Sequence, residues 1–246
     1  MSRERADRLL VRRGLAPSRE QAQALIAGGH VLVNGHRVSK ASQLLAPDSE
    51  LSLEASGPQR VSRAGEKLDH ALSHFELNPR GCVGLDIGAS TGGFTEVLLR
   101  KGAARVYAVD VGHDQLAPVL RGDPRVICLE GVNARHLTSG EIPEEVDLLV
   151  CDASFISIAK VLEKAIYFVR KGGVLVTLVK PQFEVGRGRV GKGGLVRDPQ
   201  LHKEVCEAAA DWLAAKPGWR LLGLTDSPIA GTRGNREFLM AGRRED

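Results

Sequence analysis

Four charged residues stand where catalytic side chains occur in proteins built from alternating strands and helices. Asp152 and Lys180 each follow an apolar run that predicts a strand, Glu237 opens another such run, and Lys67 lies at the head of a predicted helix. Lysine and carboxylate side chains can orient a hydroxyl group and accept its proton. Because ligands of open α/β sheets bind beyond the carboxyl ends of the strands, we expect these side chains to share one site.

A glycine-rich turn after the first predicted strand of this region indicates a small-ligand site. The segment Asp86 to Thr95 reads DIGASTGGFT and leads into a predicted helix. Glycine lets a ligand approach the backbone, and a helix N-terminus favours negative groups. The dinucleotide fingerprint G-x-G-x-x-G fails here, because Ser90 occupies the second glycine position and Gly92 comes early.

Two further polar residues follow the next predicted strands. Asp110 ends the run VYAVD, and a carboxylate there can accept both hydroxyls of a ribose. Asn133 follows the third strand, where its amide can hydrogen-bond an adenine edge. The structural alternatives are a helix-capping role for Asp86 and a turn-forming role for Asn133.

The elements that must position these residues form one alternating series. Short β-rich runs alternate with helical patterns from Gly81 onward, which is typical of a parallel sheet covered by helices. The seven predicted strands are Val83–Ile87, Arg105–Val109, Val126–Leu129, Asp147–Cys151, Gly173–Val179, Leu221–Asp226 and Glu237–Met240. Seven strands within residues 81–246 predict a single domain.

The glycine turn, Asp110 and Asn133 together resemble the cofactor site of class I methyltransferases, which bind S-adenosylmethionine. The resemblance implies that Asp86 lies near the methionine ammonium group. It assigns the cofactor contacts to Asp86, Gly88, Ser90, Thr91, Gly92, Gly93, Asp110, Asn133 and Asp152. The expected fold is α/β: a class I, Rossmann-like methyltransferase domain with a seven-stranded, mostly parallel sheet over residues 61–246, preceded by a small α+β domain over residues 1–60.

Lys67, Asp152, Lys180 and Glu237 resemble the Lys-Asp-Lys-Glu tetrad of FtsJ-like ribose 2′-O-methyltransferases. The resemblance implies attack of a 2′-hydroxyl on a sulfonium methyl group. Lys180 is the best candidate for the base if desolvation or the neighbouring Lys67 neutralises it, and the sequence leaves open which lysine accepts the proton. Asp152 and Glu237 would hold the lysines, and Lys67 would steady the alkoxide-like oxygen or the adjacent phosphate. This chemistry requires no metal.

The N-terminal segment carries most of the positive charge. Residues 1–40 contain eight Arg or Lys and three acids, a net charge of +5 within a chain of +4. Ser18 and Gln21 predict a helix start with a capping box, and Asn34-Gly35 between apolar runs predicts a hairpin. Concentrated basic charge suits a polyanion, although a solvated helix face is the simpler explanation.

The segment RADRLLVRRGLAPSREQAQALIAGGHVLVNGHRV resembles the S4 RNA-binding domain over nearly its whole length. The resemblance implies binding to structured RNA, with phosphate contacts from Arg12, Arg13, Arg19 and Arg37. Apolar Leu9, Leu25, Ile26 and Val33 are expected in its core. Glu54–Gln59 is the predicted linker to the second domain.

A basic, glycine-rich loop follows the fifth predicted strand of the sheet. Residues 186–193 read GRGRVGKG, which matches G-x-x-x-x-G-K of a P-loop except that Gly193 replaces the required Ser or Thr. A loop beside the site that contacts RNA through Arg187, Arg189 and Lys192 is the better interpretation.

Joined together, the two domains resemble the TlyA family of ribosomal RNA 2′-O-methyltransferases, also called hemolysin A. The resemblance implies ribosomal RNA or ribosomal subunits as partner, with cytidine as target. Two other function classes stay open: a non-catalytic ribosome-assembly factor and a membrane-active hemolysin.

The longest apolar run is far shorter than the about 20 residues of a membrane span, which predicts a cytoplasmic protein without membrane contact. The four cysteines form no C-x-x-C pair, which favours reduced thiols over disulfides or a zinc site.

Overall fold

The computed structural model describes residues 3–16, 18–27, 29–53, 61–231 and 234–245; at Ala24 and Arg187 the side chain lies outside this description. The chain divides into two compact units, with the division between residues 59 and 60. The predicted linker Glu54–Gln59 falls outside the described residues. Each unit has its own core and is described by itself.

The first unit combines two helices with short strands. Its elements are β1 (Glu4–Arg5), α1 (Ala6–Arg12), α2 (Arg19–Ala27), β2 (Val31–Val33), β3 (His36–Arg37), β4 (Leu44–Leu45) and β5 (Leu51–Leu53). Strand β2 lies between β3 and β5, antiparallel to both, and β1 pairs with β4. This unit is the small α+β domain that the sequence predicts.

Local signals in the sequence begin and end these elements. The Ser18 hydroxyl accepts the N–H of Gln21 at 3.2 Å, which caps the start of α2. Asn34 and Gly35 have φ angles of 49° and 80°, so both adopt the left-handed conformation of a tight hairpin turn. Of the predicted core residues, Leu9 and Ile26 are buried, whereas Leu25 and Val33 are partly buried against them.

The second unit contains one seven-stranded sheet flanked by helices. Its elements are α3 (Gly65–His74), β6 (Val83–Ile87), α4 (Gly93–Arg100), β7 (Arg105–Asp110), α5 (Pro118–Arg121), β8 (Val126–Glu130), β9 (Val146–Cys151), α6 (Ile158–Val161), β10 (Val169–Val179), α7 (Pro181–Glu184), α8 (Pro199–Ala214), β11 (Trp219–Asp226) and β12 (Phe238–Arg244). The strand order is β11-β12-β10-β9-β6-β7-β8. Among the strands that the structure describes in this sheet, β12 alone runs opposite to the other six, so the predicted mostly parallel α/β sheet is confirmed.

Apolar side chains cover both faces of this sheet. One buried cluster contains Leu85, Leu149 and Leu175 together with residues of α8, and the other contains Val106, Val150 and Val176 together with residues of α3 and α4. Side chains alternate between the faces of a strand, so continuous apolar strands such as β9 contribute to both clusters. The carboxyl ends of the central strands are thereby held at one edge.

Six of the seven strands have bounds that differ from the predicted ones, by one or two residues except at β10 and β12, where the differences are larger. Strand β10 begins at Val169 instead of Gly173, and its pairing with β9 is interrupted between Val169 and Val174 by an irregularity that the sequence pattern does not reveal. Glu237 precedes β12 instead of opening it, because the register of β11 and β12 ends at the pair Asp226 and Phe238. Glu237 is therefore placed at the end of the ladder.

Candidate active site

The four predicted catalytic side chains meet in the second unit. Lys67, in the first turn of α3, donates from Nζ to Glu237 Oε2 at 2.7 Å, and its Nζ lies 3.7 Å from Asp152 Oδ2. Lys180 Nζ lies 2.7 Å from Asp152 Oδ1. Asp152 therefore stands between the two lysines, and the four residues form one charged cluster, here called the tetrad.

The tetrad is largely withdrawn from solvent and balanced in charge. Its side chains are between 3% and 15% exposed. Burying a charge is costly unless an opposite charge lies beside it, and the tetrad brings two lysines against two carboxylates. All four residues line one cavity of about 200 Å³ together with Ser90, Thr91 and Gly93 of the glycine turn.

Lys180 is held at the carboxyl end of β10 by more than its ion pair. Its Nζ donates to the backbone carbonyl of Asp152 at 3.1 Å and to Ser154 Oγ at 2.9 Å. Pro181 begins α7 directly after it, and proline is favoured at a first helical position. The segment that follows β9 thus contributes both the Asp152 carboxylate and the Ser154 hydroxyl, a residue that the sequence analysis did not identify.

A larger cavity of about 520 Å³ lies at the carboxyl ends of β6, β7 and β8. Its size is within the range of small-molecule sites. Predicted cofactor residues that line it are Gly88, Ser90, Asp110, Asn133 and Asp152. Gly88, Ser90, Asp152 and Ser154 line both cavities, so the ligand site and the tetrad are adjacent. Thr91 and Gly93 line only the smaller cavity.

Glycine is required at two positions of the turn. Gly88 has a φ of 79°, and a Cβ there would lie 2.9 Å from the Ala153 backbone. Any other residue would strain the turn and push β6 away from the Asp152 segment. Gly92 does not line either cavity; it has a φ of 99° and packs against the Leu116 and Leu120 side chains. The turn is shaped by packing on one side and leaves space for a ligand on the other.

Asp110 and Asn133 both line the larger cavity, and the side chains of both accept hydrogen bonds from backbone N–H groups. Asp110 Oδ2 accepts the N–H of Ser90 and its Oδ1 accepts that of Gly112, each at 2.8 Å. A carboxylate oxygen has two lone pairs, so each can still accept a hydroxyl. Asn133 Oδ1 accepts the N–H of Arg135 at 3.1 Å, so the turn-forming role is real and coexists with its place in the cavity wall.

Asp86 lies beneath the glycine turn, outside the lining of either cavity. Burial raises its pKa to about 7, against the lowering effect of a hydrogen bond from Thr95 Oγ1, which lies 2.7 Å from Asp86 Oδ2. Among the described residues, nothing hydrogen-bonds its other oxygen, Oδ1. A contact of Asp86 with the methionine ammonium group stays a prediction; the observed contact is with α4.

Because the pKa of Asp86 is raised in the folded state, this residue makes the free energy of unfolding depend on pH. Its carboxyl titrates near 3.8 when unfolded and near 7 when folded, so the unfolded state releases its proton first as pH rises. The stability of the wild type should therefore fall relative to Asp86→Asn by up to about 1.4 kcal/mol per pH unit between pH 4 and 7, and then level off. Urea unfolding at a series of pH values measures this difference.

Asp123→Asn is the matched control for this experiment. Asp123 is paired with Arg125, which lowers the pKa of the Asp123 carboxyl. The difference in unfolding free energy between Asp123→Asn and the wild type should therefore stay flat over the same pH range. A difference between wild type and Asp86→Asn that does not change with pH would contradict the buried, raised carboxyl.

An exposed aromatic side chain stands beside the tetrad. Phe155 is 90% exposed and has a φ of 66°, and its ring centroid lies 5.1 Å from that of Phe183. Both rings line a cavity of about 350 Å³ that also reaches Asn235 and Glu237. The residues sequence analysis missed here are Phe155, Phe183 and Asn235; the only sequence signal was their position next to Asp152, Lys180 and Glu237.

Comparison with known proteins identifies the family of the chain. The model of the FtsJ-like methyltransferase family matches residues 60–244, and that of the S4 domain matches residues 4–51. The Mycobacterium tuberculosis protein named 16S/23S rRNA (cytidine-2′-O)-methyltransferase TlyA is 47% identical over 97% of this chain and 89% of its own. The chain belongs to the TlyA family of FtsJ-like methyltransferases.

Other relatives of this TlyA-family chain carry a different name. Hemolysin A of Brachyspira hyodysenteriae is 39% identical over 96% of this chain and 98% of its own length. A solved structure from Streptococcus thermophilus that also carries the hemolysin name is 40% identical, covers all of this chain and 90% of its own, and superposes with a TM-score of 0.72. In the part of the chain that the structure describes, no helix has the length and apolar character to cross a membrane.

The arginines predicted to contact RNA in the S4 unit of this TlyA-family chain already have partners. Arg19 donates to the buried Asp7, which also accepts from Arg5 and Gln23, and Arg12 donates to Glu4. These bonds hold Asp7 as a carboxylate by lowering its pKa, with the Arg5 hydrogen bond as the largest cause. The guanidinium groups of Arg12 and Arg19 stay about half exposed, so ion pairing orients them without burying them.

The other two predicted contacts, Arg13 and Arg37, are exposed, and Arg13 donates to the Pro47 carbonyl.

The basic loop after α7 is fastened to the segment that carries Glu237. Asn235 Oδ1 accepts the N–H of Val196 at 3.0 Å, and its Nδ2 donates to the Gly194 carbonyl at 2.9 Å. Arg189 pairs with Glu204 of α8, and Lys192 is exposed. The predicted RNA contact of Arg187 concerns a side chain outside the described part of the structure.

Within the described ranges no group of three His, Cys, Asp or Glu could hold a metal ion.

A second prediction concerns the glycine that packs on Glu237. A Cβ at Gly231 would overlap the Glu237 carboxylate. Gly231→Ala should therefore displace Glu237 from Lys67 and lower kcat by about 100-fold, because small misplacements in an active site have effects of that size. Steady-state methyl transfer with a separate measurement of cofactor affinity, expected to be unchanged, tests this.

Gly122→Ala serves as the control, since a Cβ there meets only the Pro118 carbonyl at an ordinary 3.5 Å. Full activity of Gly231→Ala would show that the Glu237 position is not needed for the reaction.

Proposed function

We propose that this protein transfers the methyl group of S-adenosylmethionine to the 2′-hydroxyl of a cytidine in ribosomal RNA. The observation that carries the proposal is the buried Lys-Asp-Lys-Glu tetrad, whose Asp152 also lines a cavity of cofactor size. The name of the Mycobacterium tuberculosis relative supplies the substrate and the position of the methyl group.

The larger cavity fits S-adenosylmethionine by the chemistry of its lining. Asp110 would accept the ribose hydroxyls, and Asn133 would face the adenine edge. Apolar side chains of Ile87, Val132 and Ile156 would border the adenine ring. Close approach at Gly88 would bring the methionine portion toward the smaller cavity, where the tetrad lies.

The RNA would enter from the side of the exposed aromatic residues. Structured RNA is recognised through phosphate and 2′-hydroxyl contacts, and unstacked bases commonly lie on aromatic rings. Phe155 offers such a ring beside the tetrad. Lys192 and the exposed arginines of the S4 unit would supply phosphate contacts.

When bound, S-adenosylmethionine supplies an electrophilic methyl group on a positively charged sulfur. Lys180 would accept the proton of the 2′-hydroxyl, and one ammonium proton of Lys180 would pass to Asp152 across the 2.7 Å contact. The products are a methyl ether, a neutral thioether and one proton. Ser154 keeps the Lys180 amine directed at the hydroxyl.

Lys67 and Glu237 orient and balance the site. The Lys67 ammonium is fixed between Glu237 and Asp152, so it can face the oxygen as negative charge develops there. Glu237 offsets its charge within the buried cluster. Positioning of the two reactants contributes on the order of 7 kcal/mol or more to such reactions.

The proposal is tested with the full chain and ribosomal subunits from cells that lack this gene. We expect labelled methyl groups from S-adenosylmethionine to enter ribosomal RNA and to map to 2′-oxygens of cytidines. Calorimetry with S-adenosylhomocysteine checks the cofactor site separately. Cofactor binding without transfer to either subunit would overturn the enzyme assignment and favour a non-catalytic assembly factor.

A further inference from the structure

The loop after β7 forms one wall of the larger cavity. Val111 and Gln115 of this loop line the cavity, and the Ser90 hydroxyl lies 3.2 Å from Gln115 Oε1. The N–H of Ala117 donates to the Thr91 carbonyl at 3.2 Å. The shape of residues 111–117 therefore determines how the glycine turn and the β7 end face a ligand.

One carboxylate outside the cavity holds this loop. Glu130 is the last residue of β8 and pairs in register with Asp110. Its oxygens accept the backbone N–H groups of Asp114 at 2.8 Å and of Gln115 and Leu116 at 2.9 Å each. Arg121 donates a fourth bond at 2.8 Å. The Glu130 side chain is only 11% exposed, and it does not line either the cofactor cavity or the tetrad cavity.

The loop conformation depends on such an anion. Asp114 has a φ of 53°, a left-handed conformation that is uncommon for a residue other than glycine. Three successive N–H groups point to one place there, and the Glu130 carboxylate is the acceptor that all three share. The bonds from Leu116 and Arg121 above all lower the Glu130 pKa to about 2, so Glu130 is charged at any pH at which the protein works.

We propose that Glu130 is a positioning residue for S-adenosylmethionine: it acts through backbone amides 114–116 to place Gln115 and the glycine turn around the ribose end of the cofactor. This inference rests on the proposed function, since it takes that cofactor as the ligand of the larger cavity. It assigns a role in cofactor affinity to a residue that does not contact the cofactor.

The test compares Glu130→Gln with Glu141→Gln. Both variants remove a carboxylate that accepts hydrogen bonds from the backbone. Glu141 accepts the N–H and the hydroxyl of Thr138, and neither residue lines either cavity. In Glu130→Gln an amide nitrogen faces amide nitrogens, so we expect the Kd of S-adenosylhomocysteine and the KM of S-adenosylmethionine to rise about tenfold or more. The kcat at saturating cofactor and the KM for RNA should stay within about twofold of the wild type, and Glu141→Gln should leave all four constants unchanged.

A merely structural role would lower thermal stability in both variants without this selective change in cofactor affinity. Unchanged cofactor constants in folded Glu130→Gln would overturn the proposal, as would an equal loss of affinity in Glu141→Gln. If the wild type itself fails to bind S-adenosylhomocysteine, the proposed function fails instead.

Hydrogen exchange of the wild type keeps the proposal testable even where Glu130→Gln does not fold. The amides of residues 114–116 should exchange slowly in the protein without cofactor, because Glu130 holds them before binding. Fast exchange that becomes slow only on addition of S-adenosylhomocysteine would show that the cofactor, not Glu130, orders the loop, and would overturn the proposal.

Discussion

Replacement of Lys180 by Ala should abolish methyl transfer while leaving cofactor binding nearly intact. The proposed mechanism assigns the acceptance of the 2′-hydroxyl proton to this amine, and loss of such a group lowers rates by about 10²-fold to 10⁴-fold. Asp152 keeps Lys67 as a cationic neighbour at 3.7 Å, so the wall that it contributes to the larger cavity should persist. Single-turnover methylation and calorimetry with S-adenosylhomocysteine measure the two effects separately.

Two companion variants define what Lys180 does. Lys180→Arg keeps the positive charge but cannot lose a proton, so it should be as inactive as Lys180→Ala. Lys216→Ala removes a lysine that pairs with Glu163 at a distance from the site and should be fully active. Retention of most activity in Lys180→Ala or Lys180→Arg would remove Lys180 from the role of base.

Replacement of Arg12, Arg13 and Arg19 by Ala should weaken RNA binding and flatten its dependence on salt. Each phosphate contact releases counterions, so loss of three contacts should reduce the slope of log affinity against log salt by about 2. Asp7 keeps Arg5 and Gln23 as partners, so the S4 unit should stay folded. Cofactor affinity should not change, because every described residue that lines the larger cavity belongs to the second unit.

The matched control removes three arginines from exposed ion pairs of the second unit, Arg125, Arg170 and Arg220. Net charge then changes equally in both triple variants, and only the location differs. An equal loss of RNA affinity in the two would mean that overall charge, not the S4 surface, determines binding. Filter binding to ribosomal RNA between 50 and 300 mM salt, a span of about sixfold, is sufficient to determine the slopes.

Much of the fold follows from local patterns in the chain. Apolar runs predict all seven strands of the large sheet, since a buried parallel strand has to be apolar on both faces. The Ser18 cap and the Asn34-Gly35 turn depend on the conformations of a few adjacent residues, and both occur as expected. The irregular start of β10 escaped prediction because it depends on pairing with β9.

The residue types of the site are also recognisable in the sequence, because charged side chains at strand ends and a glycine turn are local features. Their contacts are not. Lys67 and Glu237 are 170 positions apart and meet only because α3 and the start of β12 converge on one sheet edge. The ion pairs of Arg12 and Arg19 likewise depend on which acids the folded S4 unit brings beside them.

Burial and backbone shape were decided by the tertiary structure alone. The family resemblance predicts that Asp86 lies near the methionine ammonium group, but it does not reveal that the fold encloses the carboxyl below the glycine turn and raises its pKa to about 7. Glu130 showed no sequence signal, because its partners are backbone amides that any residue carries. What determines ionisation and loop shape is the loss of water and the arrangement of donors around each group, and both arise only when distant segments pack together.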